Sequence, residues 1–189
     1  ISKSSIHSVT VPGAIDAWDR LLKAYGTVSL ADALGPAIAM AEAGAPVTPR
    51  VAADWPAEVA DLAADEGGRV HYLKDGRAPR QGETMRYQAL ARTLRLIAKQ
   101  GRDTFYEGEI AAEIVTHLGK RGSLLTRDDF ARTRADWVEP IATVFAGHEV
   151  LEIPPSGQGI TALIALNILG HFGLKSHDPA SPERHHLEI

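Results

Sequence analysis

Residues 159–169 carry no charged side chain, and Ile160, Leu163, Ile164, Leu166, Ile168 and Leu169 are spread around a 3.6-residue helix rather than along one stripe. A helix apolar on every side is buried on every side, because any face left in water forfeits its burial free energy. In a chain of 189 residues something large must cover it, and a sheet is the natural cover. Strands are scarce, however. Ile141–Phe145 and Val150–Ile153 flank Gly147-His148 and predict an antiparallel hairpin, ended by Pro154 and Pro155. One hairpin is little cover for such a helix, so part of the fold is expected to lie outside this chain.

The rest of the pattern is helical. Ala14, Trp18, Leu21, Leu22 and Tyr25 fall on one face of a helix over 14–25, which Gly26 stops. A second helix starts at Ser29, with Asp32 at capping-box spacing, and runs to Gly44 before Pro46 and Pro49 force a turn. A weaker helical stretch covers 50–64. Gly67, Gly68, Gly76, Pro79 and Gly82 make 65–84 a loop, with a short strand near Val70–Leu73. The clearest amphipathic helix follows, with Tyr87, Leu90, Ala91, Leu94, Ile97 and Ala98 inward, and Arg92, Arg95 and Lys99 outward, up to Gly101. Another runs over 108–119, and Thr126 with Asp129 caps a short one at 127–132. The tail from Lys175 is polar, and His185 to Ile189 reads as the first turn of a helix. The expected fold class is therefore helix-rich α/β (α+β), with a helical lobe at 1–135 and a hairpin plus buried helix at 136–189.

Composition narrows the chemistry. Hydrophobic residues make up 44%, enough for a core, but aromatics only 6%, so aliphatic packing must dominate. The net charge of -4, with Lys and Arg dispersed, gives no reason to expect nucleic acid as a partner. The absence of cysteine rules out disulfides, thiolate catalysis and Cys-type zinc sites within the chain, and fits oxidising and reducing compartments alike. No apolar run approaches the roughly 18 residues of a membrane span, and Ile1 to His7 lacks the apolar segment of a signal peptide. The first residue is not methionine, which suggests a start inside a longer product or removal of the beginning.

Candidate reactive groups do not assemble into a site. His7, His71, His117, His148, His171, His177, His185 and His186 show no tight metal spacing, and read as surface or loop residues. Gly157 to Ala162 matches G-x-G-x-x-A, with Asp178 about 20 residues on, as in dinucleotide-binding turns. Two prolines separate strand from glycines, however, and no parallel strand follows, so a tight strand-to-helix turn is the favoured reading. Ser156 lacks the glycine two places before it that a nucleophile elbow needs. Asp128-Asp129, and Asp61 with Asp65 and Glu66, read as caps and solvated helix faces. Arg127, Arg132 and Arg134 read as surface. No catalytic, cofactor-binding or metal-binding residue is assigned.

A series of colinear motifs nonetheless resembles one family. Val9-Thr10-Val11-Pro12-Gly13, Tyr25-Gly26, Pro36-Ala37-Ile38 with Ala41-Glu42, and Gly82-Glu83 come in order. Leu90-Ala91-Arg92-Thr93-Leu94, Phe105-Tyr106-Glu107-Gly108, Leu125-Thr126 with Asp129, and Glu139-Pro140 follow. Pro154-Pro155-Ser156-Gly157 through Leu166-Asn167-Ile168-Leu169 completes the series. Each motif is weak alone, but together over 8–189 the chain is similar to the middle of the gamma-glutamyltranspeptidases.

That resemblance implies an N-terminal nucleophile hydrolase with a four-layered αββα sandwich, made as a zymogen that cuts itself at a threonine. The new terminal threonine attacks a gamma-glutamyl or related acyl amide, and the acyl group passes to water or an acceptor amine. It implies no cofactor. It implies the remainder of the precursor as partner, the small subunit carrying the nucleophile, and a small-molecule amide as substrate. It also implies a periplasmic or secreted setting, with the cytoplasm left open. No Thr-Thr pair of the family's type occurs here, so the nucleophile lies outside this chain, and the chain alone is expected to be inactive. Ser156-Gly157-Gln158-Gly159 replaces the usual two serines and two glycines, which implies a divergent, acylase-like branch. Two other readings stay open: a nucleotide-binding domain using Gly157 to Ala162, and a non-catalytic helical binding module.

Overall fold

Leu34, Ile38 and Ala41 recur at helical spacing along α2 (Leu30–Ala43), and Ala91, Leu94 and Ala98 do so along α6 (Gln88–Gln100), with buried Ile97 beside them. These two rows pack face to face and make the spine of the first of two units, which ends at Ala135. The computed structural model describes residues 5–189. Around the spine lie α1 (Ala14–Tyr25), α7 (Arg102–Tyr106), α8 (Glu109–Gly119) and α9 (Arg127–Arg132). They bring Ile15, Phe105, Tyr106, Ile110, Ala111 and Phe130 into one core with Leu34, Ile38 and Ile97. Each such aliphatic or aromatic side chain contributes about 1.5–3 kcal/mol when fully buried. Both expected capping boxes form. Ser29 Oγ accepts from the Asp32 amide at 3.1 Å, and the Asp32 carboxylate accepts from the Ser29 amide at 3.2 Å. Thr126 and Asp129 do the same at the start of α9.

Between α2 and α6 two sequence expectations need correction. The stretch 50–64 is not one helix but α3 (Pro49–Asp54), a 3-10 turn at Trp55–Glu58, and α4 (Val59–Ala64). Pro56 has no N–H to give to the preceding turn, and the chain tightens there. The strand expected near Val70–Leu73 is instead helical, within α5 (Glu66–Tyr72). The Asp65 side chain accepts from the Gly68 amide at 3.0 Å and starts that helix. Gly68 serves close packing rather than a loop: a Cβ there would lie 2.2 Å from the Leu62 carbonyl oxygen. Beyond α5, two residue pairs join in a minimal antiparallel ladder, β1 (Ala45–Pro46) with β2 (Thr84–Met85).

The inner face of α1 is polar. Asp16 is 1% exposed. Its carboxylate accepts from the Arg102 Nε and, at 2.6 Å, from the Ala135 amide. Arg102 also donates to the Thr133 carbonyl at 2.8 Å and lies over the Tyr106 ring, 4.5 Å from its centroid. The Tyr106 hydroxyl donates to the Pro12 carbonyl at 2.7 Å and accepts from the Asp16 amide at 3.1 Å. Arg20 donates to the Ala135 carbonyl. Burial alone would raise the Asp16 pKa, but the Ala135 amide and the Arg102 guanidinium outweigh it and hold the carboxyl below its ordinary value. The network thereby ties Pro12, α1, α7 and the segment 133–135 together.

In the second unit, Asp136–Ile189, β3 (Ile141–Phe145) pairs antiparallel with β4 (His148–Glu152), from Ile141 opposite Glu152 to Phe145 opposite His148. The turn is Ala146-Gly147, not Gly147-His148. Both residues have positive φ (52° and 85°), as the two-residue turn of a tight hairpin demands, and His148 opens the strand. α10 (Gly159–Leu169) lays one side on this hairpin, with Thr143 bonded to Asn167 and Leu163 buried. The expectation of burial on every side is not met within this unit. Ile160 is 38% exposed, and Ile164 and Ile168 are about half exposed. α11 (Pro182–Glu188) begins earlier than the expected turn at His185, because Ser181 accepts from the Arg184 amide and Pro182 takes the first helical position. Among the described residues no helix is long and apolar enough to cross a membrane.

Arg102→Ala leaves Asp16 buried without its cation, and destabilisation of about 3–5 kcal/mol is expected. Tyr106→Phe should lose about 1–3 kcal/mol by orphaning the Pro12 carbonyl and the Asp16 amide. Urea unfolding of the chain measures both, and values near zero would deny the network its role. A second prediction concerns the segment before β2. There Glu83 accepts two bonds from Arg77, at 3.0 and 2.9 Å, and one from the Arg80 amide at 2.7 Å. Arg77 first, then Arg80, hold its pKa at about 2 against an ordinary 4.5. A depressed carboxyl stabilises above its unfolded pKa and loses that contribution as pH falls through the folded one. The stabilisation should therefore fade between 4.5 and about 2. By NMR, the Arg80 amide resonance of the native chain should titrate with Glu83 at about 2, well below the ordinary 4.5, and stay still in Glu83→Gln.

Candidate functional site

A catalytic centre needs ionisable groups that are close together, partly desolvated and free to act. The described residues hold a buried charged constellation, Asp16 with Arg102 and Tyr106, and its hydrogen bonds go to backbone groups, to one another and, from Arg102, to the carboxylates of Asp103 and Glu107. No buried side-chain nitrogen or oxygen among the described residues lacks a partner. This constellation was not apparent in the sequence. Its members are separated by 86 residues (Arg102 to Asp16) and 119 (Ala135 to Asp16). The one local signal is Arg102 and Tyr106 at i,i+4 just after Gly101.

The other titratable groups are dispersed. Seven of the eight histidines are exposed and His177 is half-buried, and no three metal-ligating side chains converge among the described residues. His117 faces Arg121, which pairs with Asp65 at 2.5 Å. Asp129 belongs to a capping box, and Asp65 caps α5. Arg127 donates to the Glu107 carbonyl at 2.5 Å, Arg134 pairs with the Glu107 carboxylate at 3.3 Å, and Arg132 pairs with Asp129 at 3.2 Å. The basic run is thus tied to its own neighbourhood.

The glycine-rich turn was the other candidate. It joins β4 to α10 as the sequence suggests, and Thr161 Oγ donates to the Gln158 side chain at 3.2 Å. Two features argue against a phosphate there. All strand pairs among the described residues are antiparallel, so the βαβ unit of a dinucleotide site is missing. The Glu152 carboxylate also lies against Gly159, where an added Cβ would stand 2.5 Å from Glu152 Oε2. Gly159 is therefore needed for the close approach of helix and strand, and the Glu152 carboxylate sets a negative charge beside the turn, unfavourable to an anion there. Ser156 is exposed, with no base bonded to it.

Comparison with known proteins supplies what the site does not. The family model described as gamma-glutamyltranspeptidase matches residues 1–189. The glutathione hydrolase-like YwrD proenzyme of Bacillus subtilis (strain 168) is 39% identical over 182 residues, which cover 96% of this chain and 35% of that protein. The acylase ACY 1 proenzyme of Pseudomonas sp. (strain SE83) is 33% identical over 181 residues, 95% of this chain and 32% of that protein. This chain thus spans about a third of these relatives' length. Among solved structures, the cephalosporin acylase from Bacillus halodurans superposes with a TM-score of 0.90 at 41% identity, over 99% of this chain and 36% of that one. The gamma-glutamyltranspeptidase of Helicobacter pylori also gives 0.90, at 25% identity, over 98% of this chain and 54% of that one. The helix-rich fold with few strands is that of these enzymes, and this chain belongs to the gamma-glutamyltranspeptidase family.

Proposed function

We propose that the chain is the structural part of the large subunit of a self-processing amidohydrolase or acyltransferase whose nucleophile lies outside residues 1–189. One observation carries this reading: the family match runs the whole length of the chain, yet no buried side-chain nitrogen or oxygen among the described residues lacks a partner. In the mechanism the family resemblance implies, a threonine freed by self-cleavage attacks the amide carbonyl through its hydroxyl oxygen. Its own amine takes the proton. The C–N bond breaks, the leaving amine carries a proton away, and the ester left on threonine passes its acyl group to water or to an amine. The first unit serves as the helical lobe of the large subunit. The second contributes its hairpin and α10 to the αββα core, where the remaining polypeptide covers Ile160, Ile164 and Ile168.

A substrate broader than glutathione is favoured by Ser156-Gly157-Gln158-Gly159, where the family usually has two serines and two glycines. The acylase names among the relatives point the same way. We therefore read the substrate class as gamma-glutamyl or related acyl amides, with hydrolysis as one outcome of the acyl-enzyme.

Self-cleavage is the direct test. The intact mass of the full-length gene product, taken under denaturing conditions before and after incubation, should resolve into two pieces that sum to the precursor. The smaller piece should begin with threonine. A product that stays uncut would remove the proposed mechanism and leave a helical binding scaffold.

A further inference from the structure

Val51, Asp54, Glu58 and Leu62 recur at steps of three or four residues along α3, the 3-10 turn and α4, with Trp55 beside Asp54. Together with Tyr72 of α5 they line a groove of about 430 Å³, a volume within the roughly 300–1,000 Å³ of small-molecule sites. Its walls are pinned to one another. α5 approaches Leu62 so closely that a Cβ on Gly68 would stand 2.2 Å from the Leu62 carbonyl oxygen. The Asp65 carboxylate accepts from the Gly68 amide at 3.0 Å, and Arg69 donates to the Ala63 carbonyl at 2.6 Å. The lining fits neither a core face nor a solvated one. Val51 and Tyr72 stay 42% and 47% exposed, yet two of the lining side chains are aromatic and two are aliphatic. Its only charges are carboxylates, with no Lys or Arg in the lining. Asp54 is paired with Arg50 at 2.7 Å, whereas Glu58 forms no ion pair among the described residues. On the helical run Glu58 follows Asp54 by four residues and precedes Asp61 by three, so its neighbours are like charges.

We propose that this groove binds a small organic ammonium ion. The cation is met by the Glu58 carboxylate and by the rings of Trp55 and Tyr72, whose quadrupoles attract positive charge. Its alkyl substituents rest on Val51 and Leu62. Charge complementarity selects this occupant. An anion would meet two carboxylates, and an uncharged apolar molecule would strip water from Glu58 and return no partner for its charge. A cation with an apolar body satisfies the carboxylate, the rings and the aliphatic floor together. The proposal does not rest on the reading of the chain as part of a hydrolase, and it is read out by binding rather than by activity.

The test titrates the full-length protein, labelled with 5-fluorotryptophan, against choline and against its uncharged isostere 3,3-dimethylbutan-1-ol at fixed ionic strength. The fluorine signal of Trp55 is the one lost in Trp55→Tyr, and calorimetry of the unlabelled protein gives the affinity independently of the label. Choline should move the Trp55 signal saturably, with a Kd of about 1–10 mM, as suits a cation–π contact beside one exposed charge. The uncharged isostere should move it little. Glu58→Gln should weaken choline binding roughly two- to fivefold, because the pair it removes lies at the surface. An unmoved Trp55 signal would overturn the proposal. An equal response to the isostere would do so too, and would make the groove a plain apolar surface. Choline binding that is unchanged both in Glu58→Gln and in Asp54→Asn would place the cation elsewhere. A Trp55 signal that shifts with protein concentration alone would give the groove to a second copy of the protein, and would equally overturn the proposal.

Discussion

A single buried carboxylate organises the first unit. Asp16 offers one oxygen to Arg102 and the other to the Ala135 amide, while Tyr106 bridges the Asp16 amide and the Pro12 carbonyl. Burying an ion pair is favourable only when its remaining donors and acceptors are also met, and here they are met by backbone groups at Thr133 and Ala135 and by the Asp103 and Glu107 carboxylates. The arrangement fixes where the chain comes into the helical lobe, at Pro12, and where it leaves, at Thr133 to Ala135. It also fixes the rotation of α1 about its own axis. With Asp16 and Asp19 inward, Trp18, Leu21 and Tyr25 have to face out.

This geometry bears on function by subtraction. An enzyme's reactive groups are poised, with unmet demand or a shifted affinity for protons that serves a reaction. The shifted groups here have structural partners: Asp16 with Arg102 and Ala135, Asp32 and Asp129 with capping hydroxyls, Glu83 with Arg77. The chain spans about a third of these relatives' length, and its shifted carboxyls serve the packing and capping of its own helices.

The sequence was most legible where local rules suffice. The Ser29–Asp32 and Thr126–Asp129 boxes mark helix starts that the structure keeps, and the α6 periodicity gave its buried face through Ala91 and Ile97. It was less legible where tertiary demand overrides local signal. Gly67-Gly68 looks like a loop, but Gly68 is there to let α5 approach Leu62. The stripe of α1 looks like a core face, but the Asp16 network turns it outward. The network was the largest omission, since its partners are brought together only by the fold. For the candidate site, the resemblance named the family, while the G-x-G-x-x-A match proved to be packing of Gly159 against Glu152.

The most direct test of this account is hydrogen exchange at the Ala135 amide. Outside any helix or strand, beside the exposed Arg134, that amide would ordinarily exchange quickly. If the Asp16 carboxylate holds it as described, it should exchange as slowly as the Asp16 amide, because both open only when the network around Tyr106 opens. Exchange of Ala135 at the rate of its exposed neighbours, with the Asp16 amide still protected, would contradict the network as the constraint on which the lobe depends.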